Sequence, residues 1–414
     1  MRIMIVTDQY IPMVGGVPTV TRGLAHGFAG RGHQVTVVAP GVTARGTECS
    51  EDKVTARYFS SFRWPFYEGM RIPFLPFLPF RRLLQEIDPD IVHIHSPVVL
   101  GNIAQIEARR SRKPVVITNH YLPVNLNPSL ETDTIISKPF TAIFYSYLVH
   151  LCNRCSFVTA PTKTALNLLY EHGLRSPAQV ISNGIDLKKF SPGQDAELAR
   201  WRFRLPQDRP IILSVNRLSR EKRIDVLIDA AAKLKQNAHV VIASSGPDEA
   251  GLRAQVARLN LEEKVTFLGF IDDAELVSLY RLADVFAIPS QAELQSLTTM
   301  EAMACGLPVV AADAYALGEL VHHQSNGFLF QRGNSDEMAA YLDVLTGNEE
   351  LRKQMGVKSL EIIARHNHEL VLDQWESLYG HLSNEFSEVT ERKIAQRGEY
   401  NRSRKAIHPQ SGAS

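Results

Sequence analysis

Two glutamates that lie eight residues apart are the most informative chemical groups in the chain. They are Glu293 and Glu301, and Ser296 between them is a good helix N-cap. A helix that begins there would direct the backbone amides of Leu297 and Thr298 toward an anion. Because carboxylates accept hydrogen bonds from hydroxyl groups, Glu293 suits a sugar and Glu301 suits a ribose diol. The pattern therefore predicts a phosphate site flanked by two carboxylates.

Two basic residues form a second candidate phosphate site. Arg217 follows the apolar run 211–215, and Lys222 comes five residues after Arg217. A guanidinium that donates two hydrogen bonds and an ammonium that acts as a point charge together suit a diphosphate. Solvated surface charge produces the same pattern without a ligand, so both interpretations stay open on these residues alone.

Two glycine loops follow other apolar runs. Gly15 and Gly16 come after the first predicted strand, and Gly246 and Pro247 come after the run 239–243. Glycine lets the backbone approach a phosphate or sugar closely, although a tight turn or ordinary helix capping explains each loop equally well. The spacing is not the G-x-G-x-x-G of dinucleotide-binding proteins, which disfavours an NAD-dependent dehydrogenase.

The elements that must position these loops are short β-branched runs that alternate with helical patterns. This alternation is typical of parallel sheets covered by helices on both faces, and it occurs in two series. It predicts an α/β protein with two doubly wound Rossmann-like domains. The predicted strands are 3–6, 35–38, 91–95, 115–119, 157–160, 180–181, 211–215, 239–243, 265–268, 285–288, 309–311 and 328–329. The predicted helices are 20–30, 162–171, 223–234, 249–259, 273–282, 297–304, 335–345 and 361–383.

The two series divide the chain into predicted domains. We expect an N-terminal domain over residues 1–190, a linker over 191–209 and a C-terminal domain over 210–385. Residues 386–414 lack apolar periodicity and are predicted to be a mobile basic tail. Since ligands of doubly wound folds bind beyond the carboxyl ends of the strands, the predicted site is a cleft between two facing domains.

Taken in order, the loops resemble family 4 of the retaining glycosyltransferases, which has the GT-B architecture. The resemblance also includes Ser182-Asn183-Gly184-Ile185-Asp186 and covers about residues 1–380. Its most specific part is the pair of glutamates followed by E-A-M-A-x-G-x-P-V-V, which begins at Glu301. The resemblance implies a hexosyltransferase that uses a nucleotide-diphosphate sugar as co-substrate, retains the anomeric configuration and needs no cofactor or metal. It also implies that the N-terminal domain is the acceptor side and that the C-terminal domain binds the nucleotide sugar.

The resemblance implies a role for each candidate residue. The residues implied to contact the donor are Arg217 and Lys222 at the leaving diphosphate, Glu301 at the ribose, Glu293 at the sugar, Gly246 and Pro247, the amides of 296–298 at phosphate, and Gly15 and Gly16 from the other domain. His120 matches a family histidine at the end of a first-domain strand and is implied to face the donor sugar. Arg217, Lys222, Glu293 and His120 are the residues implied to act in catalysis.

The sequence departs from the family pattern at three positions. Family members usually have glycine where this chain has Asn216, Arg223 and Ser244. These departures bear on loop conformation and on the choice of donor, and they leave the reaction class unchanged.

The segment 62–82 carries the information about the acceptor. It holds seven aromatic residues and four arginines but only one acid, Glu68. Rings and arginines together are typical of a peripheral membrane surface, and the residues predicted to contact the membrane or acceptor are Trp64, Phe66, Tyr67, Arg63 and Arg71. A proline-kinked loop packed on its own domain is the alternative.

The same segment, with residues 119–123, resembles diacylglycerol glucosyltransferase-like members of the family. This implies a membrane lipid such as diacylglycerol as acceptor and a peripheral location on the inner face of the cell membrane. A transferase with a soluble sugar or natural-product acceptor shares every donor residue, and a nucleotide-sugar epimerase also uses two Rossmann-like domains. Both alternatives stay open.

Composition excludes several other classes of protein. The formal net charge is +1, which disfavours a nucleic-acid partner, and no apolar run reaches the roughly 18 residues of a spanning helix. Four cysteines in 414 residues cannot form a disulfide framework, so a cytoplasmic location is expected.

Three short patterns resemble metal sites and are interpreted as structural. They are the pairs Cys152 and Cys155, His93 and His95, and Asp88 and Asp90. The cysteines lack a second pair, the histidines alternate onto one face of a strand, and the aspartates precede a strand rather than follow one. A buried pair, core histidines and a turn are the corresponding interpretations.

Overall fold

A computed structural model of the chain describes residues 1–41, 47–51, 53–63, 71–74, 77–123, 137–193 and 196–407. Within these ranges the strands are β1 (Arg2–Val6), β2 (Gln34–Pro40), β3 (Thr47–Glu51), β4 (Val54–Phe59), β5 (Ser61–Arg63), β6 (Arg71–Pro73), β7 (Ile91–Ile94), β8 (Val115–Thr118), β9 (Phe157–Ala160), β10 (Ala178–Val180), β11 (Ile211–Val215), β12 (His239–Ala243), β13 (Val265–Gly269), β14 (Val285–Ile288), β15 (Val309–Ala312) and β16 (Gly327–Phe330).

The helices of the described residues alternate with these strands. They are α1 (Gly16–Gly30), α2 (Phe77–Ile87), α3 (Val99–Arg110), α4 (Ser137–Cys152), α5 (Lys163–Glu171), α6 (Ala196–Arg202), α7 (Ile224–Lys233), α8 (Glu249–Arg258), α9 (Asp273–Leu282), α10 (Leu297–Ala304), α11 (Leu317–Leu320), α12 (Ser335–Thr346), α13 (Glu349–Ile363) and α14 (His368–Ile407). In this part of the chain no helix is long and apolar enough to cross a membrane.

The chain forms two compact units, each built from separate stretches of sequence. The first unit comprises Met1–Thr118, Leu151–Val158 and Leu372–Ser414, and the second comprises Asn119–His150 and Thr159–Val371. This division places residues 159–190 in the second unit, although the sequence pattern puts them before a linker. The predicted linker at 191–209 itself stays a prediction.

The first unit is built around β1. Its strands lie in the order β8-β7-β1-β2-β4-β3, and β1 pairs in parallel with both β2 and β7. Ile3 to Val6 are fully buried because helices cover both faces of a parallel sheet, which explains the unbroken apolar run. Edge strand β3 is antiparallel to β4.

The second unit contains a sheet with the order β13-β12-β11-β14-β15-β16. All neighbouring strands of this sheet pair in parallel, and β11, β12, β14 and β15 are buried along their whole length. The order reverses between β11 and β14, which is the position where doubly wound sheets bind ligands. The doubly wound prediction is confirmed.

The predicted helix 361–383 is wrong at one point. Helix α13 ends at Ile363, a 3-10 turn covers Ala364–His366, and α14 begins at His368. Asn367 is extended and forms a bridge with Ile185, because the backbone of Ile185 bonds to His366 and His368. A contact between distant segments thus interrupts a continuous helical periodicity.

Helix α14 continues to Ile407, through most of the segment predicted to be a mobile tail. Residues 386–407 are rich in Glu, Arg, Lys and Ala, which have high helix propensity without needing an apolar face. The first part of α14 belongs to the core of the first unit, since Tyr379 packs on Phe28 and lies 2.6 Å from Nδ1 of His93.

The structural interpretation of the metal-like pairs is supported. Nε2 of His93 also lies 2.6 Å from the Thr118 hydroxyl, so both ring nitrogens make hydrogen bonds. Cys152 and Cys155 are buried, and burial raises the pKa of the Cys152 thiol to about 12, which disfavours the thiolate a metal needs. Asp88 lies in a left-handed turn and pairs with Lys113 at 2.6 Å.

Candidate functional site

The start of α10 has the geometry predicted for an anion site. The Ser296 hydroxyl is 3.2 Å from the backbone nitrogen of Thr299, which makes Ser296 the N-cap, and it is also 3.2 Å from the Thr298 hydroxyl. The amides of Leu297 and Thr298 lie in the first turn, where no intrahelical acceptor is available. The structure thus places a capped helix start at Ser296, and phosphate binding there stays a prediction.

Lys222 and Glu293 form an ion pair. The Lys222 ammonium lies 2.6 Å from Oε1 of Glu293, and their side chains are 20% and 11% exposed. The backbone supports this pair, because the Gln291 amide donates to the Glu221 carbonyl at 3.0 Å. The structure thus joins a residue predicted for the diphosphate to one predicted for the sugar.

Glu301 is buried inside α10. Its Oε2 accepts a hydrogen bond from the Tyr280 hydroxyl at 2.7 Å. Burial raises the pKa of Glu301 to about 7, while Tyr280 and the nearby charge of Lys189 oppose that rise. The carboxylate is therefore held where ionisation is unfavourable, which is unusual for a residue with only a structural role.

Replacing Glu301 with glutamine is expected to stabilise the protein at alkaline pH. A raised folded-state pKa favours folding below the ordinary value near 4.5, and that contribution is lost as pH rises through about 7. Glu301→Gln should increase the free energy of unfolding by on the order of 2 kcal/mol at pH 8 and by less at pH 5. The unfolding temperature should rise accordingly. Thermal unfolding at both values measures this, with the exposed Glu350→Gln as control. An equal shift at both pH values would contradict it.

Two loops of the second unit pack directly on each other at Gly246. A Cβ atom at Gly246 would lie 2.3 Å from the Leu218 carbonyl oxygen, so only glycine fits. The Leu218 amide donates to the Ser245 carbonyl at 3.1 Å, and the Asp248 amide donates to the Leu218 carbonyl at 3.0 Å. The close packing of the Gly246 loop on the Leu218 loop explains why a glycine stands at position 246. The sequence alone did not predict this packing. Pro247 lies two residues before the first residue of α8.

Two of the three departures from the family pattern occupy glycine-like backbone conformations. Ser244 has φ of 114°, and Arg223 has φ of 51°. Both fall in the region that favours glycine, whereas Asn216 does not. Arg223 also donates to the Asp225 carboxylate at 2.9 Å.

Ser244→Gly is expected to stabilise the protein by about 1 kcal/mol. Relief of backbone strain, of about 1–3 kcal/mol, should outweigh the added freedom of the unfolded chain. The neighbouring Ser245 has no positive φ, so Ser245→Gly is a matched control that should destabilise by about 0.5–1 kcal/mol. Thermal or denaturant unfolding measures both. Destabilisation by Ser244→Gly would show that the strain is absent.

The remaining predicted donor residues occupy strand and helix ends. Arg217 is exposed directly after β11. Gly15 is the N-cap of α1 and Gly16 its first residue, and no side chain caps this helix start. His120 follows β8 and is partly exposed, and burial lowers its pKa to about 4. Its imidazole is therefore neutral at physiological pH.

The segment 62–82 is partly described. Trp64, Phe66 and Tyr67 lie outside the described residues. Arg71 differs from the prediction, because its Nε donates to the Gly41 carbonyl at 2.7 Å and holds the β5–β6 hairpin in place. Arg63 is exposed, and its contact with a membrane stays a prediction. Among the described residues of this segment, the exposed large apolar side chains are Phe62, Phe74, Phe77 and Leu78.

Three residues near the site carry no motif and were missed from the sequence. Tyr280 lies on α9, and its contact with Glu301 has no local signal. Thr162 donates to the Leu294 carbonyl at 2.8 Å, and Gln295 accepts from the Asn183 amide at 2.8 Å. Thr162 and Gln295 are more than a hundred residues from these partners, beyond the reach of spacing arguments.

Two family models match most of the chain. The model described as Glycosyltransferase Family 4 matches residues 14–189, and the model described as Glycosyl transferases group 1 matches residues 195–361. With these family matches and its Rossmann-like parallel sheets, the chain is a glycosyltransferase of the GT-B class. It belongs to glycosyltransferase family 4, and the resemblance read from the loops is confirmed.

Similar proteins include enzymes whose names state different activities. Alpha-monoglucosyldiacylglycerol synthase of Streptococcus pneumoniae is 26% identical over 90% of this chain and 86% of its own length. GDP-mannose-dependent alpha-mannosyltransferase of Corynebacterium glutamicum is 26% identical over 80% of this chain and 76% of its own. The structure of Anabaena Alr3699/HepE in complex with UDP-glucose is 22% identical over 92% of this chain and all of its own, with a TM-score of 0.75. This last likeness shows a shared fold.

Proposed function

We propose that this chain transfers a hexose from a nucleotide-diphosphate sugar to a hydroxyl of a membrane lipid such as diacylglycerol, with retention and without a metal. The observation that carries the donor part is the Lys222–Glu293 pair at 2.6 Å beside the start of α10. The named relatives include a diacylglycerol glucosyl enzyme, and a protein of the same fold is described in complex with UDP-glucose.

The leaving diphosphate is held by three sources of positive charge. Arg217 and Lys222 donate charge-assisted hydrogen bonds to it. The amides of Leu297 and Thr298, at the positive end of the α10 dipole, donate further hydrogen bonds. Charge on the diphosphate grows as the bond to the sugar breaks, so these groups stabilise the transition state more than the ground state. We propose on this basis that the enzyme needs no divalent cation, and unchanged activity in EDTA tests it.

The sugar and the ribose are held by separate carboxylates. Glu293 accepts hydrogen bonds from sugar hydroxyls once the donor phosphate takes over Lys222. Glu301 accepts from the ribose diol. The acceptor oxygen then forms a bond to the anomeric carbon on the face from which the diphosphate leaves, and the acceptor proton passes to a phosphate oxygen. Because attack and departure occur on the same face, the anomeric configuration is retained. NMR of the product measures that configuration directly.

His120 is proposed to contact the donor sugar as a neutral imidazole. His120→Ala should keep the fold and the nucleotide affinity but lose transfer, because the contact is made only by the sugar. Calorimetry with UDP and a transfer assay measure this, with exposed His150→Ala on α4 as control. Normal transfer by folded His120→Ala would return the residue to a structural role.

The acceptor is proposed from the apolar and basic surface of segment 62–82. Phe77 and Leu78 are 49% and 67% exposed at the start of α2, with exposed Arg82 in the next turn and Arg63 on β5. Rings and aliphatic side chains insert at the level of lipid headgroups while arginines contact anionic lipid. The enzyme would then act as a peripheral protein on the inner face of the cell membrane.

A nucleotide-sugar panel with lipid and soluble acceptors side by side tests the proposal as a whole. We expect transfer to diacylglycerol in detergent or vesicles. Transfer only to a soluble acceptor would overturn the lipid acceptor and keep the transferase, and an altered free sugar nucleotide without any acceptor would indicate an epimerase.

Vesicle sedimentation tests the membrane surface separately. Binding to anionic vesicles should weaken as salt rises, since screening shortens the reach of each charge. Phe77→Ala with Leu78→Ala should lose the salt-resistant part, whereas exposed Leu198→Ala with Trp201→Ala on α6 should not. If the intact protein stays in the supernatant at low salt, the peripheral-membrane proposal fails.

A further inference from the structure

The loop that carries Glu293 is tied to distant segments by its next two residues. The Leu294 carbonyl accepts from the Thr162 hydroxyl at 2.8 Å, and Oε1 of Gln295 accepts from the Asn183 amide at 2.8 Å. Gln295 is only 8% exposed, so its amide is matched to protein partners rather than to solvent.

Ser182 connects Gln295 to the half-buried His366. Its hydroxyl oxygen accepts from Nε2 of Gln295 at 3.0 Å and from the Gly184 amide at 3.2 Å, and it lies 2.7 Å from Nδ1 of His366. Two donors are already directed at this oxygen, so its own hydrogen must go to an acceptor. The two acceptors in reach are Nδ1 of His366 at 2.7 Å and Oε1 of Gln295 at 3.4 Å, and the shorter contact is the one to His366. His366 therefore accepts through Nδ1 as a neutral imidazole, in agreement with burial that lowers its pKa.

The two segments that meet at this network are also joined by their backbones. The Ile185 amide donates to the His366 carbonyl at 2.8 Å, and the His368 amide donates to the Ile185 carbonyl at 2.9 Å. Gly184 has φ of 75°, and a Cβ there would lie 3.3 Å from Cα of His368. Residues 182–186 and 366–368 are thus hydrogen-bonded to each other, and Ser182 and Asn183 are hydrogen-bonded to Gln295 in the Glu293 loop.

We propose that Gln295 is a positioning residue for Glu293, acting with Ser182 and His366. Gln295 touches no reacting atom. It fixes the loop backbone two residues from the Glu293 carboxylate and links it to residues 366–368, close to the point at which the chain leaves the second unit. This inference rests on the proposed function, in which Glu293 holds the donor sugar. A displacement of about 1 Å in such a contact costs up to about a hundredfold in rate.

Gln295→Ala should lower kcat about ten- to a hundredfold with the active sugar nucleotide, while the Kd for UDP stays within about twofold. His366→Ala should produce the same split. His366→Asn, which keeps an acceptor near the position of Nδ1, should recover most of the rate. Because the residues act through one hydroxyl, the double variant Gln295→Ala with His366→Ala should lose less than the product of the single losses.

Gln255 provides a matched control. It is also 8% exposed, and its Nε2 donates to the Asp225 carbonyl at 2.9 Å and to Asp229 at 2.7 Å, which ties α8 to α7. Gln255→Ala removes an equally buried amide and should lower the unfolding temperature by a similar amount with kcat unchanged.

Wild-type kcat in Gln295→Ala, an equal kcat loss in Gln255→Ala, or independent effects in the double variant would overturn the positioning role. If Gln295→Ala does not fold, His366→Ala against His366→Asn decides the matter. Failure of the proposed function shows differently, as wild-type protein that transfers no sugar from any nucleotide donor, and it removes this inference as well.

Discussion

Lys222→Ala or Arg217→Ala should raise the activation free energy by about 2–4 kcal/mol, which lowers turnover roughly thirty- to a thousandfold. The reason is the growth of negative charge on the departing diphosphate, which each cation stabilises more strongly in the transition state than in the bound donor. Lys222→Ala has a second effect on turnover, because it removes the cation that lies 2.6 Å from the Glu293 carboxylate in the wild type.

Steady-state kinetics with a saturating sugar nucleotide measure this effect. Lys358→Ala is a suitable control, since Lys358 also pairs with a glutamate, Glu361, at 2.7 Å but on the exposed surface of α13. Its turnover should equal that of the wild type. Unchanged turnover in both Lys222→Ala and Arg217→Ala would refute the assigned role of the cations.

Glu293→Gln should separate nucleotide binding from sugar binding. Without the carboxylate, Lys222 has no ion-pair partner to exchange for phosphate, so affinity for UDP should rise by roughly two- to tenfold. Binding of the intact sugar nucleotide should weaken by about 1.5–3 kcal/mol, because charged hydrogen bonds to the sugar hydroxyls are lost. The same substitution therefore acts in opposite directions on the two ligands.

Calorimetry with UDP and with the intact donor tests this, alongside Glu301→Ala. That variant should weaken both ligands, since both carry the ribose. Equal losses of both ligands in both variants would mean that the sugar and ribose assignments are wrong.

Local sequence determined the elements and the chemical types at the site. Every predicted strand overlaps an observed one, because a buried parallel strand is an apolar run of four to seven residues that needs no knowledge of the rest of the chain. Ser296 was identified as an N-cap from its own preference, and the cap contact to Thr299 spans only three residues. Other elements were not predicted: strands β3, β4, β5 and β6 and helices α2, α3, α4, α6 and α11. Strand β3 has no apolar run to signal it.

Tertiary structure alone decided which of these groups meet. Lys222 and Glu293 are 71 residues apart, and Ser182 and His366 are 184 apart, so no periodicity or spacing reports their contact. The bridge between Ile185 and Asn367 likewise divides α13 from α14, although the helical pattern continues through it. Propensity and periodicity act within a few turns of chain, whereas these contacts depend on how the sheets and loops of a whole unit pack.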